Sequence, residues 1–431
     1  MPPVNTYKQG AVGTADRVAN FQPESWSPTV HKALPYNRFP MTTIMDAMAK
    51  GSGTIDSRFH HWSEEAHTPY YGTILDVYTD VLSTAYVSGG VEGTPIYIAV
   101  TAAEAAQVRG SDDILITNDA NNSVRVVRIN NVVVNGDTTS YLAGTLAETD
   151  TGNVLARADL HWALMSDAQS ENSELPVATS HDGQWYDNVT QIIMESVEMT
   201  GSEMSEKQRI NENKWTHDQK QAYVKLKMKE EWANLFGVYK IGTGSNGKRK
   251  SYMRGARTAI ATNDSANILD WRTSSSYSGA WVNSGLNWLD EVLNDASVYT
   301  DKIVRTGFIG NAAWFGINQA VRNAGTYQIE VKENGYGIQI ATLYGLTTTL
   351  KLIMSPSMTT RGWANSMFLT DMDLIRKKTF RPLMYVKDLN KAVGGHSWVD
   401  GKKEGWVQET TQEIVNTRCM RWIDGIGLAH N

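Results

Sequence analysis

From Glu203 to Phe236 the sequence runs without a Gly or a Pro, and this segment constrains the fold more than any other. Its later part, KQAYVKLKMKEEWANLFG, is densely charged. Val224-Lys225-Leu226-Lys227-Met228-Lys229 alternates apolar and charged residues, which locally is a strand pattern. Length, the lack of breakers and the spacing Val224/Met228/Leu235 favour a helix, with Gly237 at its C-terminal stop. Such a helix is on the order of 30–50 Å long, and Leu226 falls opposite the Val224/Met228 stripe. It is entered from the extended stretch QWYDNVTQIIMESVEMTG and left through the Gly-rich turn IGTGSNGKRKS into YMRGARTAI. A charged rod with something to touch on two sides suits a subunit that meets neighbours better than one that shapes a pocket.

The 431 residues suffice for two or three structural units, and 41% hydrophobic with 20% charged residues is ordinary for a folded protein. A formal net charge of -6 argues against a dedicated nucleic-acid binder, though not against a protein that encloses nucleic acid. The single cysteine, Cys419, leaves no intrachain disulfide framework and suits a reducing compartment. The opening MPPVNTYKQG lacks the basic and apolar regions of a secretory signal, and no apolar run is long enough to span a membrane. The 14 tryptophans read as core and interface anchors.

Residues 1–70, with scattered prolines and no sustained periodicity, read as an irregular arm holding one short helix around Thr42–Lys50. Residues 71–165 turn to a β pattern (TILDVYTDV, TPIYIAV, DDILIT, SVRVVRI, TSYLAGTL), with Asn135-Gly136 as a hairpin signal. A small sandwich or barrel inserted into the chain is expected there. The stretch 166–184 is polar and turn-rich. After residue 280 the pattern is α/β: Val282, Leu286, Leu289 and Leu293 keep helical spacing, KIVRTGFIG is a buried-type strand, and a helix runs from Asn311 to Gly325.

Signs of catalysis are few. Gly242-Thr-Gly-Ser-Asn-Gly247-Lys248-Arg249 nearly matches a phosphate-binding loop, but Arg249 stands where a hydroxyl must reach the metal. The loop also follows a helix, so a surface turn is the better reading. His60-His61 with Glu64 and Glu65 lack the spaced partner of a metal site. Asp371 and Asp373 lack a third member and suit a turn or strand end, and Cys419 reads as a buried thiol. The basic clusters Lys225/Lys227/Lys229, Lys248/Arg249/Lys250 with Arg254 and Arg257, and Arg376/Lys377/Lys378 with Arg381 are usually solvated faces. Their functional reading is pairing with acidic patches of a neighbouring subunit, or contact with DNA phosphates.

The order of these elements resembles the major capsid proteins of tailed bacteriophages, whose fold is shared with the herpesvirus capsid floor and with encapsulin shells. The subgroup with an extra β unit between arm and extended loop is the most similar. PYNRFPMTTIMDAM followed by FHHWSEE resembles the family's lead-in, WYDNVTQIIMESVEMTG the descending arm of the extended loop, and 203–236 its spine helix. GKRKSYMRGARTAI looks like the Met-x-Gly element, with Arg254 where glycine is often found. The resemblance implies an α+β capsid fold: N-terminal arm and lead-in at 1–70, inserted β-rich domain at 71–165 and extended loop at 166–201. Spine helix and first part of the peripheral domain follow at 202–280, the axial domain at 281–365 and the returning peripheral strands at 366–431.

It further implies a subunit that self-assembles into hexamers and pentamers of an icosahedral shell enclosing double-stranded DNA. That places it in the virion after assembly in the host cytoplasm, with scaffold, portal, protease and decoration proteins as partners and neither cofactor nor catalysis. Lys225, Lys227, Lys229, Glu230, Glu231, Arg254, Arg257 and Arg381 are the expected inter-subunit contacts. An encapsulin-like shell is the alternative. A nucleotide-binding enzyme and a β-rich receptor-binding or decoration protein are rivals from other classes.

Overall fold

The computed structural model describes residues 39–48, 53–65, 70–118, 123–156, 158–169, 171, 183–206, 214–325, 329–333, 339–344, 348–359, 362–387 and 401–430. The expected arm over 1–38, most of the loop at 166–184, and residues 207–213 of the expected helix lie outside them. Two compact units form, Met1–Trp62 with Trp185–Asn431, and Ser63–Gln184.

In the second unit seven strands follow the order Tyr71–Thr73, Leu160–Ser166, Asp113–Asn118, Ser123–Val133, Tyr141–Leu146, Pro95–Ala99, Asp76–Tyr78. The two edge strands are consecutive in sequence. Between them the Ile74 amide donates to the Leu160 carbonyl at 2.8 Å and the Leu75 amide to the Ala99 carbonyl at 2.9 Å. The chain therefore steps from one edge to the other and draws the sheet round into a small barrel. Alternation along Ile114/Ile116, Val127/Ile129 and Ile96/Ile98 sends these side chains, with Leu142 and Trp162, into a core at 0–1% exposure. Asn135-Gly136 lies in the connection from Ser123–Val133 to Tyr141–Leu146, a hairpin as expected. Its loop is longer than a two-residue turn, and the Gly136 carbonyl accepts from the Thr139 and Ser140 amides.

Besides two-stranded pairings such as Lys240–Thr243 with Arg249–Tyr252, the first unit carries two larger sheets. One orders Gly53–Thr54, Ile375–Val386, Gly401–Ile414 and Gln191–Thr200, with the helix Lys214–Phe236 against the last two. The other has seven strands: Ile268–Asp270, Arg421–Asp424, Met367–Thr370, Val304–Ile309, Thr349–Met354, Gln339–Tyr344, Ile329–Glu333. The helices Trp281–Ser297 and Asn311–Ala324 pack with it around one core. Helix Asn311–Ala324 ends as the sequence suggests, at Gly325 with φ of 66°. On helix Trp281–Ser297 the buried stripe includes Trp281 and Trp288, while Val282 is only half-buried. Trp271, Trp281 and Trp288 meet edge to face at 5.2–6.2 Å, the anchoring role expected of tryptophan. A second core joins the helix Pro40–Ala47 to Leu235, Ile260, Phe308, Phe368 and Trp422.

The helix Lys214–Phe236 has 23 residues, about 35 Å, and a short helix Gly201–Ser205 precedes it. Its buried face differs from the expected stripe. Ala222, Leu226, Glu230 and Ala233 point inward, with Lys227, Glu231 and Asn234 beside them, whereas Val224 and Met228 are half-buried. The reason is that the polar side chains on this face find partners on the lead-in helix and the sheet.

Candidate functional site

The charged rod is built into its own subunit by carboxylates. Glu231 is fully buried at the start of the helix Pro40–Ala47. It accepts from the Met41 amide (3.2 Å), the Thr42 amide (2.7 Å) and the Thr42 hydroxyl (2.7 Å). The two amides are among the orphan backbone donors that every helix N-terminus presents. Burial pushes the Glu231 carboxyl up to about 7 against those hydrogen bonds, and the Glu230 charge adds to the push. Lys227 donates to Asp46 at 2.6 Å and to Glu230 at 2.9 Å, and Lys377 reaches the same two carboxylates at 2.6 and 2.5 Å. Burial opposes the charge on Lys227, but Glu230 and Asp46 outweigh it and hold its pKa above the usual lysine value. Lys227, Glu230 and Glu231, expected at a subunit boundary, are thus engaged inside the protomer. They fasten the lead-in helix to the rod.

From Gln408 to Ile414 the strand Gly401–Ile414 is buried on both faces although its sequence is largely polar. Toward the rod, the Gln412 side-chain amide donates to the carbonyls of Asn234 (2.9 Å) and Arg254 (2.8 Å). On its other face Glu409 takes Arg381 at 2.8 Å, Arg58 at 3.7 Å and the Thr190 hydroxyl at 2.7 Å. Glu413 takes His60 at 2.8 Å, Arg376 at 3.0 Å and Lys378 at 3.2 Å. Burial alone would raise the Glu413 carboxyl; His60 and Lys378 bring it down to about 2 instead. His60 is therefore a hydrogen-bond partner of Glu413 here.

Arg254 lies 4.8 Å from the Tyr239 ring and 3.8 Å from Asp187. Arg257 covers the rings of Trp363 and Trp422 at 4.7 and 5.8 Å. Lys229 pairs with Glu195, and Lys225 is exposed without an ion pair among the described residues. Between the rod and strand Gln191–Thr200 opens a groove of about 900 Å³, lined by Ile192, Met194, Met228, Trp232, Val238 and Tyr252. Lysines 225, 229 and 240 also line it. The sequence pointed to Lys225 and Lys229 but not to Lys240 or the groove; the alternation 224–229 was its one visible trace.

The near-match to a phosphate loop lies, as expected, in a surface turn, although a strand and not a helix leads into it. Gly242–Arg249 joins the antiparallel strands Lys240–Thr243 and Arg249–Tyr252, so no helix N-terminus faces the loop. Asp371 caps the 3₁₀ turn Met372–Leu374 and Asp373 lies within it, and both pair with Lys302. Cys419 is a fully buried thiol, pushed up to about 11 by burial. Among the described residues no three His, Cys, Asp or Glu side chains group as metal ligands.

A family model described as SU10 major capsid protein matches residues 12–426. The chain belongs to the SU10 major capsid protein family. It is accordingly a bacteriophage capsid protein, a structural subunit of a homo-oligomeric shell and a component of the virion. Solved structures similar to this capsid protein include one of Mycobacterium phage Bobi, at 6% identity and a TM-score of 0.46 over 96% of this chain and 99% of that one. One of Microbacterium phage Oxtober96 is 11% identical, with a TM-score of 0.40 over 60% and 80%. The holo-SrpI encapsulin complex from Synechococcus elongatus PCC 7942 is 9% identical, with a TM-score of 0.39 over 58% and 78%. No protein among the curated ones matches. The capsid protein's rod, groove and lysine rim are thus elements of a lattice subunit.

Proposed function

We propose that this capsid protein assembles into hexamers and pentamers of an icosahedral shell around double-stranded DNA, inside the host cytoplasm. It acts by contact and not by catalysis. The family match over residues 12–426 carries this reading. An open apolar groove with a cationic rim supports it, because a shell subunit needs heterologous contacts that close into rings. Segments 1–70, 71–165, 166–201, 202–280, 281–365 and 366–431 serve as arm, inserted domain, extended loop, spine, axial domain and returning peripheral strands. Scaffold, portal, protease and decoration proteins are the partners that the reading adds, together with non-specific phosphate contacts to the packaged DNA. Of the charged side chains named for neighbour contacts, Lys225, Lys229 and Arg381 keep the exposure that such a contact needs. Negative-stain microscopy with sedimentation velocity, on subunits co-expressed with the other head proteins, tests it. Closed shells with five-fold and six-fold rings are expected; a uniform monomer under every co-expression would overturn it.

A further inference from the structure

We propose that the groove between helix Lys214–Phe236 and strand Gln191–Thr200 receives the Gly201–Ser205 turn of a second copy of this chain. Met204 enters the groove and Glu206 meets its lysine rim. The inference rests on the shell reading above, since it names how two copies join.

The groove is apolar where it is open. Ile192, Met194 and Val238 are 43, 58 and 61% exposed, and Met228 and Trp232 line it from the helix side. A contiguous apolar surface of this kind marks an interaction site, whereas singly scattered exposed side chains do not. At its edge Lys225 and Lys240 are exposed and make no ion pair among the described residues. The occupant must therefore bring an apolar anchor with an acid beside it.

The chain carries that combination at the far end of the same strand. Met204 is 45% exposed within Gly201-Ser-Glu-Met-Ser, directly followed by Glu206. The turn is fixed by the Thr200 hydroxyl, which accepts from the Glu203 amide at 3.4 Å. Glu203 is engaged with Lys214, while Glu206 is exposed and, although its charge also acts on Lys214, makes no contact ion pair among the described residues. An unbranched thioether adapts well to a groove floored by methionine, isoleucine and tryptophan.

Knob and groove lie at opposite ends of one strand. From Met194 to Thr200 the rise is roughly 20 Å, so a subunit cannot seat its own Met204 in its own groove. The contact is then head to tail, with different surfaces on the two copies, and such contacts generate rings when the rotation closes.

The test uses assembled particles in which Met228 is replaced by the photo-crosslinking residue p-benzoylphenylalanine. Isotopically heavy and light subunits are mixed before assembly, and cross-linked peptides are identified by mass spectrometry. The expected product joins residue 228 of one copy to residues 201–206 of another, as heavy–light pairs. Lys225→Glu should lower particle yield about tenfold, and Lys225→Glu combined with Glu206→Lys should restore it. If the Met228 replacement does not fold, the same photo-crosslinker at exposed Lys225 gives the same readout. Particles that form normally but cross-link only to residues 1–38, to the valine-bearing loop 79–94 or within one copy would overturn this contact and leave the shell reading standing. Wild-type subunits that form no multimers at all would overturn the shell reading, and this contact with it.

Discussion

Glu231 is wholly buried, and Glu230 beside it carries the same charge. Its folded pKa of about 7 stands above the ordinary 4.5, so between these values the folded chain binds a proton that the unfolded chain has released. Stability from this group is therefore fully present below about pH 4.5 and is lost as pH rises through 7, by on the order of 3 kcal/mol. Glu413 has the opposite sign: with its pKa lowered to about 2, its contribution holds above 4.5 and is lost as pH falls through 2. Between about pH 5 and 8 only Glu231 of the pair titrates. Glu231→Gln removes the charge to bury but keeps a single acceptor oxygen, enough for the Thr42 amide, while its NH2 cannot accept from the Met41 amide as the second carboxylate oxygen does. The variant should fall furthest below the wild type near pH 5 and gain on it toward pH 8, read as a thermal midpoint at each pH. Parallel curves would show that the carboxyl does not carry the dependence. None of this was legible in the sequence. Glu231 sits in a charged run, charged runs are usually solvated, and its partner Thr42 is 189 residues away.

Elements meet backbone to backbone where the rod ends. Gly237 follows the helix, as its position after Leu235-Phe236 indicates, and that much the sequence carries. Its second role is hidden, because it depends on a contact with Gly255. The Gly255 amide donates to the Gly237 carbonyl at 2.8 Å, and a Cβ on Gly255 would lie 2.3 Å from the Gly237 nitrogen. Gly255→Ala should therefore lower stability by about 1–3 kcal/mol, since backbone on both sides must shift. Gly242 lies in the basic hairpin, where a Cβ would meet no atom within 4 Å, so Gly242→Ala should leave the denaturation midpoint unchanged. Equal effects of the two substitutions would remove close packing as the cause. The helices and most strands of this unit were readable because their periods of 3.6 and 2 are local. The inward face of the rod was not. Lys227, Glu230 and Asn234 point into the protein only because Asp46, Lys377 and Thr42 wait there.

At the scale of the whole molecule, the chain divides its apolar residues between separate cores. The barrel of Ser63–Gln184 has its own, around Ile98, Ile114, Val127 and Trp162. Alternation made its strands legible, but not its closure, which turns on two backbone hydrogen bonds from Ile74 and Leu75 to opposite edges. The other unit has two clusters, one under the helices Trp281–Ser297 and Asn311–Ala324 and one joining Met41, Leu235 and Trp422. A unit with a closed sheet and an independent core should unfold as its own cooperative transition. Calorimetry of the unassembled subunit should then show two transitions. Ile98→Ala removes a side chain at 0% exposure, at a cost of about 2–5 kcal/mol, and should lower one transition while leaving the other in place. Ile260→Ala, from the cluster that holds the lead-in helix, should do the converse. If both substitutions move a single common transition, the two units are one folding unit, and the barrel depends on its host chain for stability.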